Sequence, residues 1–515
     1  MGEAESKRNQ LRWWLFNLAQ SHAIVICSVK YQSNKTSQDR PLQKIVSSRW
    51  LALSLLGATV RLGFGGDLLT DSPLFREKVV PLLIERCFGC HGGTTVEGGY
   101  SVADTSLLFM PGESALLPVS FTNIESSELI VRLISLDISI RMPRDADPLS
   151  DSEIDTMRTW LRTGTTTETG QKPISLVDIY GKSRASPRAP THYANSMPIS
   201  SLLLSPDGRF LLVGGYSEVL IWNVEMQVLD SRAPVRGRMI SDLRWAPGGK
   251  FVVASGQPGK FGVLEAFDFG ERKPIAAFGF SRDVCTSVAA SPYRDELAAG
   301  FSDGSVTLFS LETIKPRLVS VAHAAGVTCV DWSSNNNRVF SSSLDRTAKS
   351  FESTDGKLLF AYADHERAVG CVLDTQYGPV TLDETGTLRV WSEGEEVRSL
   401  AKRDGLQQNV QKMVTANGVI YVPDKDRIRR FTIIQDEVVD EKANDKEKAD
   451  EKKPKMKKRT RWKELDSMQS IVNRSILSLS ANPNGLVAAG LEDGQVVLWR
   501  PDDSTQPFSS WNSLP

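Results

Sequence analysis

The sequence predicts a multidomain protein, a small all-α domain followed by an all-β propeller of seven blades. Three observations carry that expectation. The chain has 515 residues, enough for two or three domains at roughly 100 to 200 residues each. Residues 70–166 read as helix and loop, with a capping box at Ser150 and Glu153. From about Ile199 onward the text changes to short alternating strands punctuated by Gly, Asp, Asn and Pro, the pattern of a β array. The expected boundaries are an N-terminal extension over 1–69, the helical domain over 70–166, a linker over 167–191 and the propeller over 192–515.

Within the extension, Lys44 and Arg49 precede an apolar run from Trp50 to Val60 that ends in small residues. Positive charge followed by an apolar core is the order of an export signal, read over about 44–66; an ordinary buried helix is the alternative. No uncharged apolar run reaches the roughly 18 residues of a membrane-spanning helix, so membrane association is expected only through this segment. Lys plus Arg number 61 against 62 Asp plus Glu, a net charge of −1. No basic field draws nucleic acid, which is not an expected partner. The six cysteines, Cys27, Cys87, Cys90, Cys285, Cys329 and Cys371, are too few for a disulfide framework.

In the helical segment, residues 82–93 read LLIERCFGCHGG, and Cys87, Cys90 and His91 form a C-x-x-C-H motif. Two thiols three positions apart on a helical turn can each add to one vinyl group of a haem, and the adjacent histidine is carried under the iron. A zinc site needs about four ligands, and no second Cys/His pair lies nearby. A redox dithiol normally sits in a βαβ pattern that the surroundings lack. An iron axial to His91 needs a sixth ligand or stands open. No histidine lies between His91 and His192, which leaves Met110, Met142 and Met157. Met142 stands in Arg141-Met142-Pro143, a loop entering the helix that the capping box starts. Met157 falls with Ile154, Trp160 and Leu161 on that helix's apolar face and reads as core, whereas Met110 sits in a loop before Pro111.

These residues together resemble the planctomycete-type cytochrome c domain over about residues 72–164. The resemblance rests on Phe75, Pro81, Cys87 through Gly92, Gly98-Gly99, Met142-Pro143, Leu149-Ser150 with Glu153, and Trp160-Leu161 with Gly164. It implies one covalent haem c, with Cys87 and Cys90 as thioether sites, His91 as proximal iron ligand and Met142 as distal ligand. It also implies attachment outside the cytoplasm of a bacterium, hence an exported, periplasmic protein, anchored if the signal is retained. Residues 106–112 depart from the family's fuller glycine-rich stretch.

In the β array, aromatic residues that close a strand recur at Trp222, Phe267, Phe309, Phe351, Trp391, Phe431 and Trp499, spaced 45, 42, 42, 40, 40 and 68. A period of about 40 to 45 residues is one four-stranded propeller blade. The long last interval holds a charged insertion at 436–464, with 20 charged residues in 29, acidic first and then basic, too polar to fold alone. The array resembles the WD-repeat propeller family in degenerate form, since none of the three tryptophan anchors is followed by Asp. His323 with Asp345, and His365 with Asp383, read as buried hydrogen-bonded pairs. Cys285, Cys329 and Cys371 read as small core residues, and His192 as a surface residue. The linker over 167–191 reads as permitting motion, or as lending an outer strand to the last blade.

No nucleophile triad, carboxylate pair or phosphate loop has supporting context, so no catalytic residue is assigned. The expected function is one-electron transfer by the haem, with the propeller as a platform for a redox or scaffold protein. A haem-based sensor or scaffold is the second reading, and a haem oxidoreductase with an open distal site the third. The oligomeric state is not legible.

Overall fold

The computed structural model describes residues 70–514 except 71, 93–95, 121, 145, 164–172, 184–186, 194, 282, 395–396, 407–411, 440–455, 470–472 and 501–505. The export segment therefore lies outside the described residues. No described helix is long and apolar enough to cross a membrane.

The first part is helical. A π-helical turn, Phe75–Val79, runs into helix Val80–Arg86, which is followed by the short helix Phe88–His91; helices Glu128–Ile134 and Asp151–Thr163 complete the domain. Helix Asp151–Thr163 starts as its sequence dictates. Ser150 N–H donates to Glu153 Oε2 at 2.7 Å, and Glu153 N–H returns a bond to Ser150 Oγ at 3.3 Å, so two otherwise orphaned donors are satisfied. Its buried face is Ile154, Met157, Trp160 and Leu161, with the Trp160 ring stacked on Phe75 at 5.3 Å between centroids. Met157 is core, as its position on the apolar face predicts. Glu153 also receives Arg86 Nε at 3.2 Å, which ties the cap to the turn just before Cys87.

The second part is a propeller of seven four-stranded sheets, each built from consecutive antiparallel strands. The blades occupy 202–234, 239–281, 285–321, 327–362, 369–403, 414–469 and 476–512. All seven anchor aromatics fall on the third strand of their blades, as in Glu218–Asn223 for Trp222 and Gln495–Trp499 for Trp499, and all are buried. Third strands are covered on both faces and so read as continuous apolar runs. Fourth strands such as Arg398–Arg403 are largely uncovered and polar.

Two segments differ from the sequence expectation. Within 167–191 the chain forms helix Leu176–Ser183. Its Leu176, Val177, Ile179 and Tyr180 share one apolar cluster with Phe75, Leu83 and Trp160 of the helical domain and with Phe261 and Val263 of the second blade. A Cβ at Gly181 would collide with the Phe280 ring, so glycine permits the closest approach of helix to blade. The last blade takes its outer strand from Ser509–Asn512, not from the linker; ring closure uses Ile199 N–H to Leu491 O at 3.1 Å and Trp222 Nε1 to Ser513 O at 3.2 Å. In the sixth blade, both flanks of the charged insertion join the ladder, as strands Arg427–Val439 and Met456–Gln469. The acidic limb faces the basic limb, and Arg461 Nε meets Asp436 Oδ2 at 2.7 Å. Opposite charges across a strand pair make so polar a hairpin compatible with the sheet.

Candidate functional site

The helical domain encloses a cavity of about 550 Å³ lined by Cys87, His91, Tyr100, Val102, Leu116, Pro118, Leu129, Leu133 and Met142 among others. Its elements converge from distant parts of the sequence. Helix Phe88–His91 brings His91, helix Glu128–Ile134 brings Leu129 and Leu133, and the loop before Pro143 brings Met142, whose N–H donates to Arg132 O at 3.0 Å. Gly112 lies so close to Gly98 O and Tyr100 N that a Cβ there would collide with both. This closeness lets the loop through 106–112 pass over the site.

His91 Nδ1 lies 3.0 Å from the backbone oxygen of Tyr100. A carbonyl only accepts, so Nδ1 carries the proton and Nε2 keeps its lone pair, the arrangement of a metal-binding imidazole steered by a backbone acceptor. The Tyr100 ring packs edge-on to the imidazole at 5.6 Å, and Tyr100 Oη donates to Leu108 O at 3.2 Å. Cys87 is half-buried and Cys90 exposed; neither is in a disulfide. Burial pushes the Cys87 thiol up to about 12. A redox dithiol depends on a lowered thiol pKa, so this environment disfavours that alternative. Among the described residues, no group of three or more His, Cys, Asp or Glu is placed to hold a metal ion.

Of the three candidate methionines, Met142 lines the cavity, Met157 is in the core and Met110 is 59% exposed. Tyr100, Arg132 and Arg144 were not singled out from the sequence. Tyr100 acts through a backbone oxygen, which leaves no residue-type signature. The two arginines carry the cationic heads of the lining; Arg132 is held by Glu128 at 2.7 Å and Arg144 donates to Ser139 O at 3.0 Å. Arg141 Nε is buried with no protein partner.

Residues 87–145 match the family described as Planctomycete cytochrome C, and residues 188–223 and 315–352 match the WD domain, G-beta repeat. The chain carries a Planctomycete cytochrome C domain followed by WD40 repeats in a seven-bladed β-propeller. The cytochrome domain implies haem c, and its cavity fits that group: the Cys87 thiol, His91 imidazole and Met142 thioether share one lining, Cys90 stands exposed on the same helical turn outside it, and the partly apolar walls carry Glu97, Glu113 and Glu128 beside arginines suited to carboxylate side arms. The WD40 propeller suggests a protein-interaction platform.

Curated relatives include the protein groucho of Drosophila melanogaster, 21% identical over 170 residues, which are 31% of this chain and 23% of that protein. Transducin-like enhancer protein 2 of Mus musculus is 22% identical over 175 residues, 32% of this chain and 22% of that protein. The WD repeat-containing protein 55 homolog of Dictyostelium discoideum is 26% identical over 103 residues, 19% of this chain and 25% of that protein. The chain thus spans about a quarter of the length of these relatives.

The propeller's histidines are engaged locally. His365 Nδ1 lies 3.2 Å from Asp383 Oδ2, its Nε2 is 3.2 Å from Thr381 Oγ1, and Trp391 Nε1 donates to that hydroxyl at 2.8 Å. His323 is held by Asp345 at 3.0 Å and Ser341 at 2.7 Å. Burial lowers both imidazoles' pKa values. His192 is exposed.

Proposed function

We propose that this protein is a c-type cytochrome that transfers single electrons, its haem attached through Cys87 and Cys90 and its iron held between His91 and Met142. The observation that supports this most is the convergence of Cys87, His91 and Met142 on one cavity, with His91 Nδ1 engaged by a backbone carbonyl so that Nε2 is free. Haem c bound there supplies reversible one-electron chemistry at iron. The chain's own part is to orient the His91 ring through Tyr100 O, to keep water from the cavity with Val102, Leu129 and Leu133, and to present cationic Arg132 and Arg144 to the group's carboxylates.

The propeller acts as the platform that holds a protein partner near this site. The loop leading to Met142 exposes Leu136, Ile138 and Ile140, an apolar edge suited to brief contact with a redox protein. The paired acidic and basic limbs of the sixth-blade hairpin offer a separate charged surface. Because haem c of this type is attached outside the bacterial cytoplasm, we place the protein in the periplasm, exported by the segment at 44–66; reporter fusions after residue 70 that are active only in the cytoplasm would contradict this.

The test is expression of the full chain with the haem c maturation machinery, then denaturing electrophoresis with haem staining. Haem should migrate with the chain and be lost in Cys87→Ala, Cys90→Ala. A wild-type chain without stain, or a double variant that keeps it, overturns the assignment.

A further inference from the structure

Cys329 and Cys371 lie on the innermost strands of neighbouring blades, Val327–Trp332 and Val369–Leu373. Their sulfurs are 3.2 Å apart and both residues are buried. The contact has context in the ring of bonds that join one inner strand to the next. At the equivalent position of the second blade, Asp242 Oδ2 accepts Val288 N–H of the third blade at 3.0 Å. One blade on, Ser287 Oγ accepts Val330 N–H of the fourth at 3.2 Å. At the next step the oxygen is replaced by Cys329 Sγ, which faces Cys371 Sγ and reaches Val372 O at 3.6 Å.

Sulfur is a weak hydrogen-bond partner, so as a thiol pair this step is the poorest of the three joints. Two cysteines facing each other at a joint where the two preceding steps use an oxygen are accounted for by a covalent link. Closing from 3.2 Å to a bond of ~2.05 Å needs the sulfurs to approach by roughly an ångström.

We propose that Cys329 and Cys371 form a disulfide that staples the fourth blade to the fifth when the chain folds in the presence of a disulfide oxidant. The balanced step is thiol–disulfide exchange. One of the two cysteines, as its thiolate, attacks the oxidant's S–S bond, forms a mixed disulfide and releases one small thiol. The other, deprotonated, displaces the second, so two protons and two electrons leave the protein on two oxidant thiols and one S–S bond forms. Exchange on the folding chain avoids the burial that shields both sulfurs afterwards.

The test uses the full chain, unfolded under reduction and refolded with reduced and oxidised glutathione, then denatured, alkylated and mapped by mass spectrometry. The expected result is a 329–371 linked peptide that disappears on reduction, absent from Cys329→Ser and Cys371→Ser, with Cys285 recovered alkylated. Cys329→Ser copies Ser287 and should still fold. The oxidised wild type should melt several degrees above its reduced form, whereas Cys329→Ser should show no such difference. Recovery of both thiols alkylated from folded, oxidatively refolded protein overturns the proposal. The readout contains no haem, so its failure is separate from failure of the cytochrome assignment.

Discussion

Removing the aspartate that faces the buried histidine should cost very different amounts in two neighbouring blades, where Asp383 ends a strand at the register position of Ser343 and Asp345 lies two residues further on, in the turn. In the fifth blade, Asp383 Oδ2 accepts Arg389 Nη1 at 2.6 Å, and both side chains are at most 5% exposed. Burial alone would raise the Asp383 pKa, but hydrogen bonds from His365, Thr385 and Arg389 outweigh it and hold the carboxyl below its ordinary value. Asp383→Ala strands the Arg389 cation in the interior, and breaking a buried pair from one side costs about 3 to 5 kcal/mol. In the fourth blade, Asp345 faces His323, whose pKa is lowered by burial, and the place of Arg389 is taken by Lys349, which donates to Ala322 O instead. Asp345→Ala therefore forfeits hydrogen bonds without stranding a cation, roughly 1 to 2 kcal/mol. Guanidinium denaturation of the full chain, followed by tryptophan fluorescence, measures both. Equal losses, or a larger loss for Asp345→Ala, would refute the reasoning that a buried cation and not the repeat's aspartate sets the cost.

Further outcomes follow from the same contacts. Trp160→Ala should destabilise the cytochrome domain by about 3 to 5 kcal/mol, because the ring is 1% exposed and stacked on Phe75; calorimetry showing an unchanged first transition would contradict it. Met142→Ala, in haem-loaded protein, should abolish the methionine-to-iron charge-transfer band and open the ferrous iron to carbon monoxide, while Met110→Ala should do neither; the reverse pattern would move the distal ligand. Acid should remove the contribution of the two histidine–aspartate pairs in two steps, opposed by Glu265 and Asp331, whose carboxyls burial raises to about 7 and about 6 and which add stability as they take up protons. The lowered histidines contribute stability above the unfolded imidazole value of about 6.5 that is lost as pH falls below it, and the lowered Asp345 and Asp383 contribute stability lost below about 4. A change in denaturation midpoint between neutral pH and pH 5 that is the same in wild type and in His323→Gln, His365→Gln would argue that neither histidine is neutral in the folded state.

Local signals made much of this molecule legible. The aromatic anchors reported the blades because each closes a third strand covered on both faces, and that demand repeats with the blade. The capping box reported the start of helix Asp151–Thr163 because its bonds lie within four residues. Cys87, Cys90 and His91 were legible as one helical turn, and Met142 by its loop before that helix. What stayed hidden depends on partners far away in sequence. Helix Leu176–Ser183 has too short an apolar run to declare itself, and it gains its cover from Phe280 and Phe261 about a hundred residues on. The limbs of the charged hairpin look unfoldable singly and are compatible only as a pair. The approach of Cys329 to Cys371 follows from the pitch of the blades, and the acceptor for His91 is a backbone oxygen that any residue at position 100 would supply.

Electron transfer by this protein depends on haem c at Cys87 and Cys90. The most direct measurement is the mass of the peptide containing both cysteines, taken from protein made with the maturation machinery and fully denatured. The account predicts a peptide heavier by one haem, with both cysteines resistant to alkylation and an iron absorbance that follows the peptide through chromatography. A peptide of unmodified mass with two alkylated thiols would contradict it and leave the cavity between His91 and Met142 without its proposed occupant.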